Sequence, residues 1–341
     1  MLNAFQKKLS ETPCELALFF DCDSNITYFT GVKAERACLA IPARGEALLF
    51  VAGFEAERFA MISSVKVVKT DKKMIEAVVS RFKAKNVGIV ATSLNYADAK
   101  NVQELFGAQL NDVSEIVTAL RTVKNEGEIG RIKKACAITD ELFSELLDHM
   151  KKMKTERDAA NFLKIGMMER GLEPSFPAIV ATSANAAVPH HEPTTTVLKG
   201  FTVVDFGVVY QNYCSDMTRT IFVGTPTQKE KDTYDKVRFV QEECISLCTP
   251  GNTLEKVHEH AKKHMGDLLI HYLGHSLGID VHDVRPTPYT FSPNCVVTME
   301  PGSYVSGKYG IRIEDDVVVG KKTPTVLTKS QKTLAALNFS R

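Results

Sequence analysis

With 341 residues, 44% of them apolar and 24% charged, and a net charge of +1, the chain has the length for two globular domains and an ordinary globular composition. The near-neutral balance excludes a nucleic-acid or anionic-membrane surface as its main business. No apolar run approaches the roughly 18 residues that a membrane-spanning helix needs. The opening MLNAFQKKLSETPCELALFF lacks the charged, apolar and small-residue order of a secretory signal, which predicts a cytoplasmic protein. Eight scattered cysteines without a C-x-x-C pair read as reduced, buried thiols rather than a zinc ribbon. Cys244 and Cys248 are expected to share one helix face.

Residues 1–120 alternate strand and helix signals. ELALFF, RACLAIP, GEALLFV, VKVVKT and NVGIVAT read as strands, and MIEAVVSRFKAK and YADAKNVQELFG as helices. This predicts a small α/β domain with its own core and no phosphate-binding glycine loop. DCDSNITYFTGV at 21–32 reads as a polar turn feeding a strand. The boundary is expected in ALRTVKNEGEIGR, giving domains 1–120 and 121–341. A long helix is predicted from Glu126 toward Met150. Thr155 is read as the cap of a second helix ending at Gly171. Thr227 and Glu230 form a capping box for a third helix toward Cys248, and Thr253 opens a fourth. Stretches 177–182, 201–223, 294–300 and 311–319 are β-rich. Helices outside and a curved antiparallel sheet inside, an α+β layout, is the expectation.

Four carboxylates sit in these apolar stretches, where an unpaired charge would cost several kcal/mol. Asp205 and Asp216 are expected to face each other across a hairpin centred on Tyr210–Gln211. Glu300 and Glu314 are expected to do so across a longer loop centred on Gly307. His275 lies between the pairs. Two divalent cations would balance four carboxylates, and oxygen-rich ligation with one imidazole suits Mn²⁺, Co²⁺, Fe²⁺ or Zn²⁺. Such cations lower the pKa of water toward neutrality, the chemistry of a hydrolase. One Asp in a hairpin is ordinarily a turn residue, and one Glu beside Arg312 ordinarily a salt bridge. Two pairs plus His275 favour the metal reading. The two helix-rich segments with two hairpins suggest an internal duplication.

VVDFGVVYQNYCSDMTRTIFVG, GHSLGIDVHD, VVTMEPGSYV and GIRIEDDVVV together resemble the pita-bread metallopeptidases, in the Xaa-Pro branch of prolidase and aminopeptidase P. The resemblance implies a duplicated, curved catalytic sheet after an extra N-terminal domain, and hydrolysis of the bond between an N-terminal residue and proline. It implies metal ligands at Asp205, Asp216, His275, Glu300 and Glu314, with Asp216 and Glu314 bridging. It gives His282 and His190 to the substrate; Glu300 or its partner carboxylate is read as the proton shuttle. His191 remains an alternative to His190, which is preferred because it follows Pro189. His271 and Arg312 resemble substrate-side residues of aminopeptidase P. Mn²⁺ or Co²⁺, with Zn²⁺ or Fe²⁺ as alternatives, and a homodimer are likewise implied.

Other readings compete. A methionine-aminopeptidase-like or creatinase-like substrate is compatible with the same ligands. GHSLG is also a literal G-x-S-x-G, which would make Ser276 a serine-hydrolase nucleophile, but no histidine follows His282. His149, His258, His260 and His264 are expected on solvated helix faces.

Overall fold

A computed structural model describes residues 1–338 apart from Cys22 and Lys72. The chain divides into two compact units, Met1–Arg121 and Thr122–Arg341.

The first unit runs α1 (Leu2–Leu9), β1 (Leu16–Phe20), α2 (Ser24–Thr30), β2 (Ala37–Pro42), β3 (Leu48–Ala52), α3 (Ala56–Ile62), β4 (Lys66–Thr70), α4 (Met74–Arg81), β5 (Asn86–Ile89), α5 (Tyr96–Phe106), β6 (Gln109–Asp112) and α6 (Ser114–Thr122). Its six strands form one mixed sheet in the order β4-β3-β2-β1-β5-β6. Alternation along β1 sends Leu16 and Leu18 into a cluster with Val78 and Val102 from α4 and α5. On the opposite side Phe19 meets Phe5 of α1 and Phe29 of α2, with Phe5 5.7 Å and 5.1 Å from the other two ring centroids. Covering both faces explains why β1 and β2 are apolar throughout. One expectation is corrected: 21–32 is not a turn leading into a strand. Asp23 accepts the N–H of Asn25 as an N-cap, and Gly31 ends α2 in the left-handed region. Cys22 lies outside the described residues.

The second unit begins with α7 (Glu126–His149) and α8 (Glu156–Glu169). Both open with a capping box, Asn125 with Glu128 and Thr155 with Asp158. Then come β7 (Glu173–Pro174), β8 (Ile179–Thr182), β9 (Gly200–Phe206), β10 (Val208–Tyr210), β11 (Tyr213–Cys214) and β12 (Met217–Val223). A second helix pair follows, α9 (Gln228–Ser246) and α10 (Leu254–Met265), capped by Thr227 and Thr253. The chain continues through β13 (Val296–Met299), β14 (Gly302–Val305), β15 (Tyr309–Arg312), β16 (Asp315–Val318), β17 (Thr325–Val326) and β18 (Ala336–Leu337). Ile138, Leu142 and Leu146 of α7 pack on Val204, Phe206, Met217 and Ile221 of the first hairpin. Val237, Val240 and Cys244 of α9 pack on Val297, Ile311, Ile313 and Val317 of the second. Each half is thus a helix pair laid on a hairpin.

The hairpins are stitched side by side. Glu314 N–H donates to the Thr218 carbonyl at 3.0 Å, and Thr220 Oγ1 both accepts from Arg312 N–H and donates to its carbonyl. Their inner geometry partly departs from expectation. The first turn is the two-residue Gln211-Asn212, both at positive φ, so the axis lies one residue later than predicted. Asp205 therefore faces Thr218 across the ladder, and Asp216, just before β12, is its diagonal neighbour rather than its opposite. The second hairpin is centred on Gly307 as expected, and its register sets Glu300 opposite Glu314. Its connection is the short Ser306-Gly307-Lys308, not a long loop.

Candidate metal centre and substrate cavity

The two hairpins and the segment 271–282 enclose a cavity of about 660 Å³ whose lining includes Asp205, Asp216, His275, Glu300 and Glu314. His275 is delivered by a segment that runs antiparallel to β13: Thr298 N–H donates to the His275 carbonyl, and Glu300 N–H to that of Leu273. Backbone contact is close enough that a Cβ on Gly274 would lie 2.0 Å from the Thr298 carbonyl oxygen. Thr298 Oγ1 accepts from His275 N–H and donates to Glu300, fixing those two residues together.

Ligand atoms of Asp216, His275 and Glu314 all lie within 4.8 Å of one another. His275 Nε2 is 3.5 Å from both Asp216 Oδ2 and Glu300 Oε1. The Ser276 carbonyl can only accept, so Nδ1 of His275 donates to it and Nε2 is the ring nitrogen turned to the carboxylates. Among the described residues, buried Asp205 Oδ1 and Asp216 Oδ1 have no hydrogen-bond donor. Burial, then Asp205 and Asp316, push the Asp216 carboxyl well up; burial, then Asp216 and Glu300, do the same to Glu314. Burial also raises Asp205, against the opposing pull of Arg312. One guanidinium does not balance four carboxylates. Orphaned buried oxygens, an imidazole nitrogen turned toward them and surplus negative charge together fit divalent cations.

Arg312 faces Asp205, not Glu314: Nη2 is 2.5 Å from Asp205 Oδ2, Nε donates to Thr218 Oγ1, and Nη1 donates to Tyr304 Oη at 2.8 Å. Tyr304 in turn donates to His271 Nε2, whose Nδ1 donates to the Tyr272 carbonyl. Both His271 nitrogens are therefore engaged within the protein. His282 sets its ring 4.1 Å from that of His275, tilted by 58°, and burial, then His275, lower its pKa. His190 and His191 both line the cavity; His190 is exposed, and His191 is half-buried with Nε2 3.0 Å from Glu156 Oε2. Ser276 is fully buried, with Oγ 3.5 Å from both Lys124 Nζ and Tyr289 Oη, which removes it as an accessible nucleophile.

The solvated-face expectation fails for two histidines. His258 is half-buried, stacked on Tyr272 at 4.4 Å, and His260 is half-buried beside His264. Thr218, Thr298, Tyr304 and Asp316 were not anticipated. Thr218 donates to Glu314 Oε2, and Asp316 accepts the Asp216 N–H. Only a hydroxyl two residues after Asp216, on the same strand face, hinted at Thr218.

A sequence profile of metallopeptidase family M24 matches residues 130–321, and that of the creatinase/prolidase N-terminal domain matches 1–123. The chain belongs to metallopeptidase family M24. An uncharacterized peptidase of Staphylococcus saprophyticus is 33% identical over 329 residues, covering 90% of this chain and 93% of the relative. The Xaa-Pro dipeptidase of Pyrococcus furiosus is 31% identical over 323 residues, covering 91% and 92%. The crystal structure of the Pyrococcus horikoshii prolidase superposes with a TM-score of 0.90 at 27% identity, covering 98% of this chain and 99% of that one. The C-terminal unit thus has the pita-bread fold of the M24 enzymes, and the protein is a metal-dependent peptidase of that family. Among the described residues, no helix is long and apolar enough to cross a membrane.

Proposed function

We propose that this M24 peptidase hydrolyses the bond between an N-terminal residue and proline, with dipeptides as the leading substrate class. The convergence of four carboxylates and one imidazole in a cavity sized for a short peptide carries the proposal. The Xaa-Pro dipeptidase activity named for the Pyrococcus furiosus relative supports it. Asp205, Asp216, His275, Glu300 and Glu314 would hold two cations. Mn²⁺ or Co²⁺ suits that oxygen-rich set, with Zn²⁺ and Fe²⁺ as alternatives. When bound, such cations polarise the scissile carbonyl and lower the pKa of water.

The chain's own residues do the rest. Glu300 takes the proton of the attacking water and passes it to the leaving prolyl nitrogen. His282, kept neutral by burial, offers an N–H to the oxyanion as it develops. His190 contacts the substrate at the cavity mouth, and Arg312 holds Asp205 while facing the same space. An Xaa-Pro bond has no N–H for ordinary backbone recognition. Apolar Phe176, Pro177, Ile179 and Val281 in the lining give the pyrrolidine ring a surface instead. The free, buried cysteines suit a reducing, cytoplasmic setting, and family resemblance suggests a homodimer.

Rates on Ala-Pro, Ala-Pro-Ala, Ala-Ala and Met-Ala-Ala, with added Mn²⁺ or Co²⁺ and with chelator, test this. Cleavage of Ala-Pro above all others, abolished by chelation, is expected. Preference for Ala-Pro-Ala would make it an aminopeptidase, and preference for Met-Ala-Ala or undiminished chelated activity would sink the reading.

A further inference from the structure

Glu156 is the first residue of α8 and fully buried, yet it lies outside the acid cluster of the cavity. Its carboxylate collects five hydrogen bonds. Oε1 accepts from Thr182 N–H at 2.8 Å and from Asn185 Nδ2 at 2.9 Å. Oε2 accepts from Thr194 N–H, from Thr194 Oγ1 and from His191 Nε2 at 2.9, 2.6 and 3.0 Å. Burial opposes ionisation, but the donors, led by Thr194 and then Thr182, win and hold the pKa below the ordinary Glu value. All five donors belong to one segment, 182–194. Two backbone bonds, Glu156 N–H to Thr196 and Arg157 N–H to Thr194, fasten its far end to the same helix start.

That segment carries His190. Val188 to His191 form a turn closed by His191 N–H on the Val188 carbonyl, with Pro189 and His190 at its corners. Arg312 Nη2 donates to the Pro189 carbonyl at 3.3 Å on one flank, and the His191–Glu156 contact holds the other. Among the described residues the His190 ring makes no hydrogen bond or ion pair; it is exposed at the tip, so its position is that of the turn.

We infer that Glu156 is a positioning residue for His190, acting through His191 and Thr194, and that the second histidine of the pair, which also borders the cavity, serves as a clasp. The inference rests on the proposed peptidase reading only for what His190 touches; the mechanical claim is independent of it.

The test is a double-mutant cycle. Glu156→Gln offers an amide NH₂ to donors that need acceptors, and it is made alone and with His190→Ala. On Ala-Pro with Mn²⁺, the single variant should lose about tenfold to a hundredfold in kcat/KM. In the His190→Ala background the same change should cost less than about twofold. His191→Gln, which keeps a donor for Glu156, should retain more activity than His191→Ala and serves if Glu156→Gln folds poorly. Mn²⁺ binding by calorimetry should be the same in all variants. Equal losses in both backgrounds, or lost Mn²⁺ binding, would overturn the inference. Hydrogen exchange reads it without turnover: Glu156→Gln should speed exchange in 183–197 and leave 201–223 unchanged. Unchanged exchange in 183–197 would equally overturn it. A wild type inert on Ala-Pro would sink the substrate reading and leave the exchange result to decide this one.

Discussion

Beside His275 and His282 in the chain lies a buried ion pair. Lys124 Nζ is 3.3 Å from Asp283 Oδ2, both side chains almost wholly inaccessible, and Ser276 Oγ lies beside the ammonium. Asp283 follows His282, and Ser276 follows His275, so the pair anchors the histidine-bearing segment where it meets the start of the unit. Two charges this deep depend on each other, and removal of one leaves the other costly. Lys124→Met should lower unfolding free energy by about 3–5 kcal/mol. Adding Asp283→Leu should recover part of that loss. Denaturant titration measures both, and a loss under about 1 kcal/mol for the single variant would show the pair to be wetter than its burial implies.

At the scale of elements, the first hairpin carries strain in its turn. Gln211 and Asn212 sit at φ 47° and 69°, a backbone region in which Asn is at home and Gln is not. Gln211→Asn should therefore stabilise by roughly 0.5–2 kcal/mol, raising Tm by a few degrees without altering kcat. An unchanged or lower Tm would mean that the turn is held by its flanks instead. The same turn explains why the first hairpin was misread by one residue while the second was read with its correct centre. Gly307 announces its turn in the sequence, and Gln-Asn does not. Thr155 and Thr227 were legible because a capping box is decided within four residues. Asp23 and Gly31 carried an equally local signal for α2 but were read as a polar turn. The four cavity acids and the imidazole stood out by chemical type in apolar surroundings. Their supporting hydroxyls and Asp316 did not. The Asp216–Asp316 and Thr218–Glu314 contacts span 100 and 96 residues, and only the register of two stitched hairpins creates them. The stacking of His258 on Tyr272 is likewise invisible until α10 meets the cavity wall.

Among the described residues, each unit has hydrophobic clusters of its own, in Met1–Arg121 and in Thr122–Arg341. All five proposed ligands lie in the second unit. Metal-stripped protein should accordingly unfold in two calorimetric transitions. Mn²⁺ at about 100 times its Kd should stabilise one of them by about 2.7 kcal/mol and leave the other in place. A single transition that moves as a whole would show that the units melt together. The stitching of the two hairpins has a temporal consequence as well. During synthesis Asp205 and Asp216 leave the ribosome roughly a hundred residues before Glu314 and Asp316. A half-made copy thus carries acids without an assembled centre, and it stays inert toward the peptides around it until the second hairpin emerges and zips against the first.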